Sequence, residues 1–289
     1  MRVIHQGVFS KCSCLQKVVL NEGLEALGTD EYFDGEMYHG VFEDSAVKRV
    51  DLPSTLKRIE YCSFKNCKSL NSIKFPAGLE TIGLYAFNGS GLETVVTPKS
   101  VRVIHQGAFS DCQALKKVVL NEGLETLGTN EYSAKDYPLS GVFEHSALTV
   151  IELPSTLRII EYYAFKCCKN LADIQLPGGL RSIRRYCFCK SGLEKIAFPS
   201  SMKEVGASAF MECKKLKNVC LNEGLEKLGA TETIDKRKWE GGVFADSAVW
   251  AINIPSTVRR LETETFNGCR NLIGIEIPNG IEYIGQRCF

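Results

Sequence analysis

The stretch FKCCKNLADIQLPGGLRSI, residues 165–183, contains one full unit of the pattern on which the chain is built. Its anchors Phe165, Cys168, Leu171, Ile174, Leu176, Pro177, Leu180 and Ile183 stand as F-x2-C-x2-L-x2-I-x-L-P-x2-L-x2-I. The run from Leu171 to Leu176 closes in the two-residue alternation of a half-buried strand, and Pro177, lacking a backbone donor, ends the ladder. Leu180 and Ile183 suit a second short extended piece, and the segment from Ala164 to Cys168 suits a short helical turn. A single unit buries too few side chains to offset the ordering of its backbone, so it folds only by stacking on like neighbours.

Working outward, the anchoring phenylalanine recurs as Phe9, Phe42, Phe64, Phe87, Phe109, Phe143, Phe165, Phe188, Phe210, Phe244, Phe266 and Phe289. Successive spacings are 22 or 23 residues, except for three of 33 or 34. About eleven coils of 22–23 residues follow, a stack about 50 Å long at about 4.8 Å per coil. Two coil types alternate. One carries Cys12, Cys67, Cys112, Cys168, Cys213 or Cys269, and the other Ser45, Ser90, Ser146, Ser191 or Ser247. Every second Cys-type coil has an extra loop, at about residues 29–39, 129–140 and 230–241, and in these coils Asn21, Asn121 and Asn222 replace the proline. The superunits run over about 1–100, 101–201 and 202–289. Both ends fall inside a unit without a polar cap, which predicts a segment of a longer array or ends covered by a partner.

The pattern F-x2-C-x2-L-x2-V-x-L-P-x-G-L-x2-I resembles the BspA-like leucine-rich repeats of bacteria and unicellular eukaryotes, over essentially the whole chain. That resemblance implies an α/β repeat over 1–289: a right-handed leucine-rich-repeat solenoid, β-rich with short helical turns. It also implies a protein-binding role, which for many members is adhesion at a cell surface. The three regular insertions, and an opening without the apolar stretch of a secretory signal, depart from that pattern.

Composition excludes several classes. With 35 basic and 34 acidic residues the net charge is +1, so no global field draws in nucleic acid. No apolar run reaches the length of about 18 residues that would suggest a membrane-spanning helix.

Thirteen cysteines invite a disulfide or metal reading. The six at the repeated position would lie about 9.6 Å from their nearest same-type neighbours, beyond disulfide reach, and read as a buried ladder alternating with serine. Cys187 and Cys288 take a small core position beside their phenylalanines. The C-x-C pairs Cys12/Cys14 and Cys187/Cys189 are about 34 Å apart at the same rise and cannot share a tetrahedral zinc. Unpaired thiols favour a reducing compartment. His5 and His105 are repeat-equivalent, but the third copy has Gly206 there, and Ser146 beside His145 is a ladder position. No acid–base constellation, phosphate loop, cofactor site or metal site emerges, and the chain is expected not to be an enzyme.

Two surfaces can bind. Alternation places Lys17/Val19, Arg49/Asp51, Ser72/Lys74, Thr94/Val96, Lys117/Val119, Val150/Glu152, Asp173/Gln175, Lys195/Ala197, Asn218/Cys220, Ala251/Asn253 and Gly274/Glu276 on the open face of a sheet. These positions hold no aromatic residue. The insertions hold Tyr32, Phe33, Tyr38, Tyr132, Tyr137 and Trp239, side chains of the kind that anchor interfaces. The expected function is a scaffold that contacts a protein partner through these loops, the sheet face or both. The alternatives are a subunit of a larger assembly and a fragment of a surface adhesin.

Overall fold

The computed structural model describes residues 2–29, 39–129, 140–230 and 241–289. Contacts divide the chain into a unit Met1–Pro154 and a unit Ser155–Phe289. Each contains two series of short strands, and every pairing is parallel. In the first unit, three-residue strands at Lys17–Val19 and Arg49–Asp51 form one sheet, and those at Thr94–Val96, Lys117–Val119 and Val150–Glu152 form another. The second series, Val3–Ile4, Ala26–Leu27, Arg58–Ile59, Thr81–Ile82 and Val103–Ile104, pairs in that order.

The second unit repeats the plan. Lys195–Ala197, Asn218–Cys220, Ala251–Asn253 and Gly274–Glu276 form the first series. Ile159–Ile160, Ser182–Ile183, Glu204–Gly206, Lys227–Ala230, Arg260–Leu261 and Tyr283–Ile284 form the second, with a register shift between Val205 and Gly206. Parallel order is the necessary outcome of coils that each travel in one direction and stack. Ser72–Lys74 and Asp173–Gln175, expected as strands, are not strands. Single bonds from Glu93 N–H to Asn71 O (3.0 Å) and Glu194 N–H to Ala172 O (2.9 Å) remain there.

The phenylalanine anchors form the spine of each core. Phe9, Phe42, Phe64, Phe87, Phe109 and Phe143 stack face to face at 5.0–5.7 Å. Phe165, Phe188, Phe210, Phe244, Phe266 and Phe289 do the same at 5.1–5.7 Å in the second unit. These distances lie in the range of favourable offset stacking, which adds to the burial of each ring.

The expected helical turns around these rings do not form: the described residues contain no helix. Phe9, Phe64, Phe87, Phe109, Phe165, Phe188, Phe210 and Phe266 are each bracketed by two left-handed residues four positions apart, for example Cys62 (φ 52°) and Asn66 (φ 57°), or Tyr163 (φ 59°) and Cys167 (φ 58°), while Phe42, Phe143 and Phe244 are followed by one, Asp44, His145 or Asp246. A right-handed helix cannot pass through such residues. The backbone alternates its donors instead. Glu43 and Ser45 N–H close local turns on Gly40 O (3.2 Å) and Phe42 O (3.0 Å). Phe42 and Asp44 N–H reach across to Ser63 O (2.7 Å) and Lys65 O (3.0 Å) of the next coil. Stacking thus takes the donors that a helix would use internally.

The cysteine–serine ladder is present as expected. Cys67, Cys112, Cys213 and Cys269 donate S–H to Phe42, Phe87, Phe188 and Phe244 carbonyls at 3.0–3.1 Å. Their sulfurs lie 3.4–3.7 Å from Ser45, Ser90, Ser191 and Ser247 Oγ. Burial pushes the Cys67 thiol up to about 12 and those of Cys112 and Cys213 up to about 11. None of the thirteen cysteines is in a disulfide.

Candidate protein-binding face

Alternation in the three-residue strands sends one side chain into the core and two to solvent. In the first unit Val50, Val95, Val118 and Ile151 are buried, while Val19, Val96 and Val150 are 57, 50 and 48% exposed. Val96 lies in register with Val119, and Val150 with Lys117. This places apolar side chains together on an open sheet beside the Lys117–Glu152 ion pair (3.0 Å).

The second unit presents a different face. Ala197 is in register with Cys220, and Asn218 with Ala251, which is itself opposite Gly274. These small side chains leave a groove of about 560 Å³, lined by Gln175, Lys195, Asn218 and Cys220 among others. Lys195 Nζ pairs with Asp173 Oδ2 at 3.1 Å at its edge. The Gln175, Asn218 and Asn253 side-chain amides have no partner among the described residues. Each offers both a donor and an acceptor, the pairing that the backbone of an extended segment satisfies. Trp250 precedes the strand at Ala251 and is 53% exposed, and Ile273, bonded through N–H to Trp250 O (2.9 Å), is exposed at the same position of the next coil.

Sequence reasoning missed Trp250 because alternation was applied to strand positions only. The available signal was a tryptophan where other coils have Lys48, Lys116, Thr149 or Lys217.

Tyr32, Phe33, Tyr38, Tyr132, Tyr137 and Trp239 lie outside the described residues. The roots of the insertions are described. Gln6 Nε2–H donates to Thr29 O (3.0 Å), and His105 Nδ1 lies 3.0 Å from Thr129 Oγ1. At the exits, Gly40 and Gly141 N–H donate to Glu43 and Glu144 carboxylates at 2.7 and 2.9 Å. The third copy has Gly206, Ala207, Ala230 and Ala245 at these positions, none of which can make either clasp.

His39, Glu43 and Asp44 bring three ligand-type atoms within 4.8 Å of one another. Glu43 is already engaged by Lys65 Nζ (3.0 Å) and Gly40 N–H (2.7 Å), so the cluster reads as the clasp of the insertion. His145 is exposed while Ser146 is buried, which removes the serine from any surface chemistry.

Parallel single-turn coils, a stacked aromatic spine and a sheet with one open face define a leucine-rich-repeat protein. The chain belongs to the family described as BspA type Leucine rich repeat region, which matches residues 35–136, 139–232 and 237–289 in six copies. Its fold is similar to that of a leucine-rich repeat protein from Bacteroides ovatus: 22% identity and a TM-score of 0.59, covering 100% of this chain and 80% of that one. It is also similar to one from Eubacterium ventriosum: 22% identity and a TM-score of 0.54, covering 98% of this chain and 78% of that one. A search of curated proteins finds no match.

Proposed function

We propose that the chain is a non-enzymatic scaffold that binds another protein through its open sheet face together with the insertion loops. The observation that carries this reading is the small-residue groove of the second unit, with its unpartnered amides and the exposed Trp250 nearby. Such a surface suits an extended segment, whose backbone satisfies Gln175 and Asn218 while apolar side chains meet tryptophan. The aromatic residues Tyr32, Phe33, Tyr38, Tyr132, Tyr137 and Trp239 supply a second set of contacts from loops carried by a rigid repeat.

The test is affinity capture with the whole chain beside three variants: Ala197→Arg, Trp250→Ala, and a chain with the insertions replaced by plain proline-containing turns. Loss of a partner with Ala197→Arg and Trp250→Ala, at unchanged thermal stability, supports the face. Loss with the insertion variant alone assigns recognition to the loops. A partner retained by all three variants removes both surfaces from consideration.

A further inference from the structure

Glu22 and Glu223 each cap a tight turn of the coil that follows. Glu22 accepts from Ser54 N–H (3.0 Å), Ser54 Oγ–H (3.0 Å) and Thr55 N–H (3.3 Å). Glu223 repeats the arrangement on Ser256, with N–H at 3.1 Å and Oγ–H at 2.9 Å. These donors, the backbone N–H groups of Ser54 and Ser256 first, hold both carboxyls below the usual carboxylate range. Consecutive backbone N–H groups aimed at one carboxylate form an anion nest.

The turn at Ser200–Ser201 has the same composition, a proline followed by two hydroxyl residues. It is held in the same way: Ser201 Oγ–H donates to Leu180 O at 2.6 Å, as Thr55 Oγ1–H does to Leu24 O at 2.8 Å. Its capping position, however, is occupied by Gly178. A Cβ at Gly178 would meet nothing within 4 Å, so the place of the missing side chain is open. Ser200 is exposed, and neither its N–H nor its hydroxyl has an acceptor among the described residues.

The charge around this turn is also anomalous. Just before the short strands of the first unit, basic and acidic residues alternate from coil to coil as Lys57, Glu80 and Arg102, with Lys57 and Glu80 paired at 3.3 Å. In the second unit Arg181 stands where its counterparts are Glu80 and Glu226. Arg158, Arg181 and Lys203 therefore follow one another on adjacent coils, each just before its strand, joined by bonds from Arg181 N–H to Arg158 O and from Lys203 N–H to Arg181 O, each 2.8 Å. Like charges in register cost stability, and Arg181 has no acidic partner among the described residues. Lys203 reaches Glu226 at 2.9 Å, which leaves two cations without an acidic partner among the described residues: Arg158, whose guanidinium lies against Gly179 and donates to Ser155 O at 2.9 Å, and Arg181.

We infer that the turn at Ser200–Ser201, preceded in the stack by the coils of Arg158 and Arg181, binds a carboxylate carried by an acidic segment of a partner protein, in the place that Glu22 and Glu223 take on their own turns. The repeat itself supplies the chemistry of the occupant, since it fills this nest with the carboxylates of Glu22 and Glu223. Arginines on two successive coils favour a segment with more than one acid. The site lies on the turns, off the sheet face, so it goes beyond the reading of that face and does not depend on it.

The test uses the 15N-labelled whole chain titrated with a short glutamate-rich peptide, with a glutamine peptide of equal length, and with inorganic phosphate. Saturable movement of the Ser200 and Ser201 amide signals with the glutamate peptide alone is expected, the capped Ser54 amide staying still. Arg181→Glu weakens the response at least about tenfold, a change of about 1.4 kcal/mol. Gly178→Glu provides an internal carboxylate, shifts the same amides without peptide and abolishes the titration, while an unchanged or raised melting temperature rules out misfolding. Movement with phosphate but not with the glutamate peptide would overturn the proposal in favour of a free anion, and stillness with both would remove the site.

Discussion

Phe165 has no exposed surface and stacks on Phe188 at 5.1 Å, so its ring cannot be removed without leaving a cavity between coils. Phe165→Ala is expected to cost about 3–5 kcal/mol, read as a lowered urea midpoint at constant slope. The cysteines give a second prediction at this scale. Reaction with a thiol reagent needs both access and the thiolate. Cys14 and Cys220 are exposed, whereas the buried Cys67, Cys112 and Cys213 have thiols raised to about 11–12. In native protein at neutral pH, Cys14 and Cys220 should label first, with Cys67, Cys112 and Cys213 reacting only on unfolding. Early labelling of Cys112 would contradict the ladder.

At the scale of the element, each turn is tied to its neighbour by bonds that no local stretch contains. Glu22 caps a turn 32 residues away, and the donors there lower its folded pKa. The sign follows directly: a depressed carboxyl pKa stabilises the fold above the unfolded value, and the contribution is lost as pH falls through the folded one. Glu22 and Glu223 should therefore titrate below ordinary glutamates by carboxyl NMR. Ser54→Ala should move Glu22 back up, without affecting Glu223. An ordinary titration of Glu22 in the native chain would show that the clasp does not persist in solution. The same dependence on the neighbour explains why the helical turns fail to appear. Tyr85, Tyr163 and Tyr186 adopt left-handed backbone because their coils bond sideways, and a tyrosine gives no local hint of this.

At the scale of the whole molecule, stacking makes stability a sum of contributions between adjacent coils. A cavity should loosen its immediate neighbours first. In the first unit Phe87 stacks on Phe64 and Phe109 at 5.0 and 5.4 Å, respectively. Hydrogen exchange on Phe87→Ala should show the largest loss of protection at the amides of Phe64 and Phe109, and a smaller loss at Phe9. Uniform loss across the unit would mean that its coils unfold as one. The face and groove tolerate change more easily, because their side chains point to solvent and contribute little to this sum.

Periodicity alone was enough to identify the coil, the phenylalanine spine, the cysteine–serine ladder and the face positions such as Val96 and Asn218, because spacing dictates which side chains must leave water. It could not reveal where a backbone donor goes when a stacked coil offers an acceptor. That competition replaced helix with left-handed turns around Tyr163, interrupted the sheet at Ser72–Lys74 and Asp173–Gln175, and brought Glu22 onto Ser54. The exposure of Trp250 and the open nest at Ser200 belong to the same category. Both depend on what the adjacent coil places beside them, a quantity that exists only once the chain has stacked.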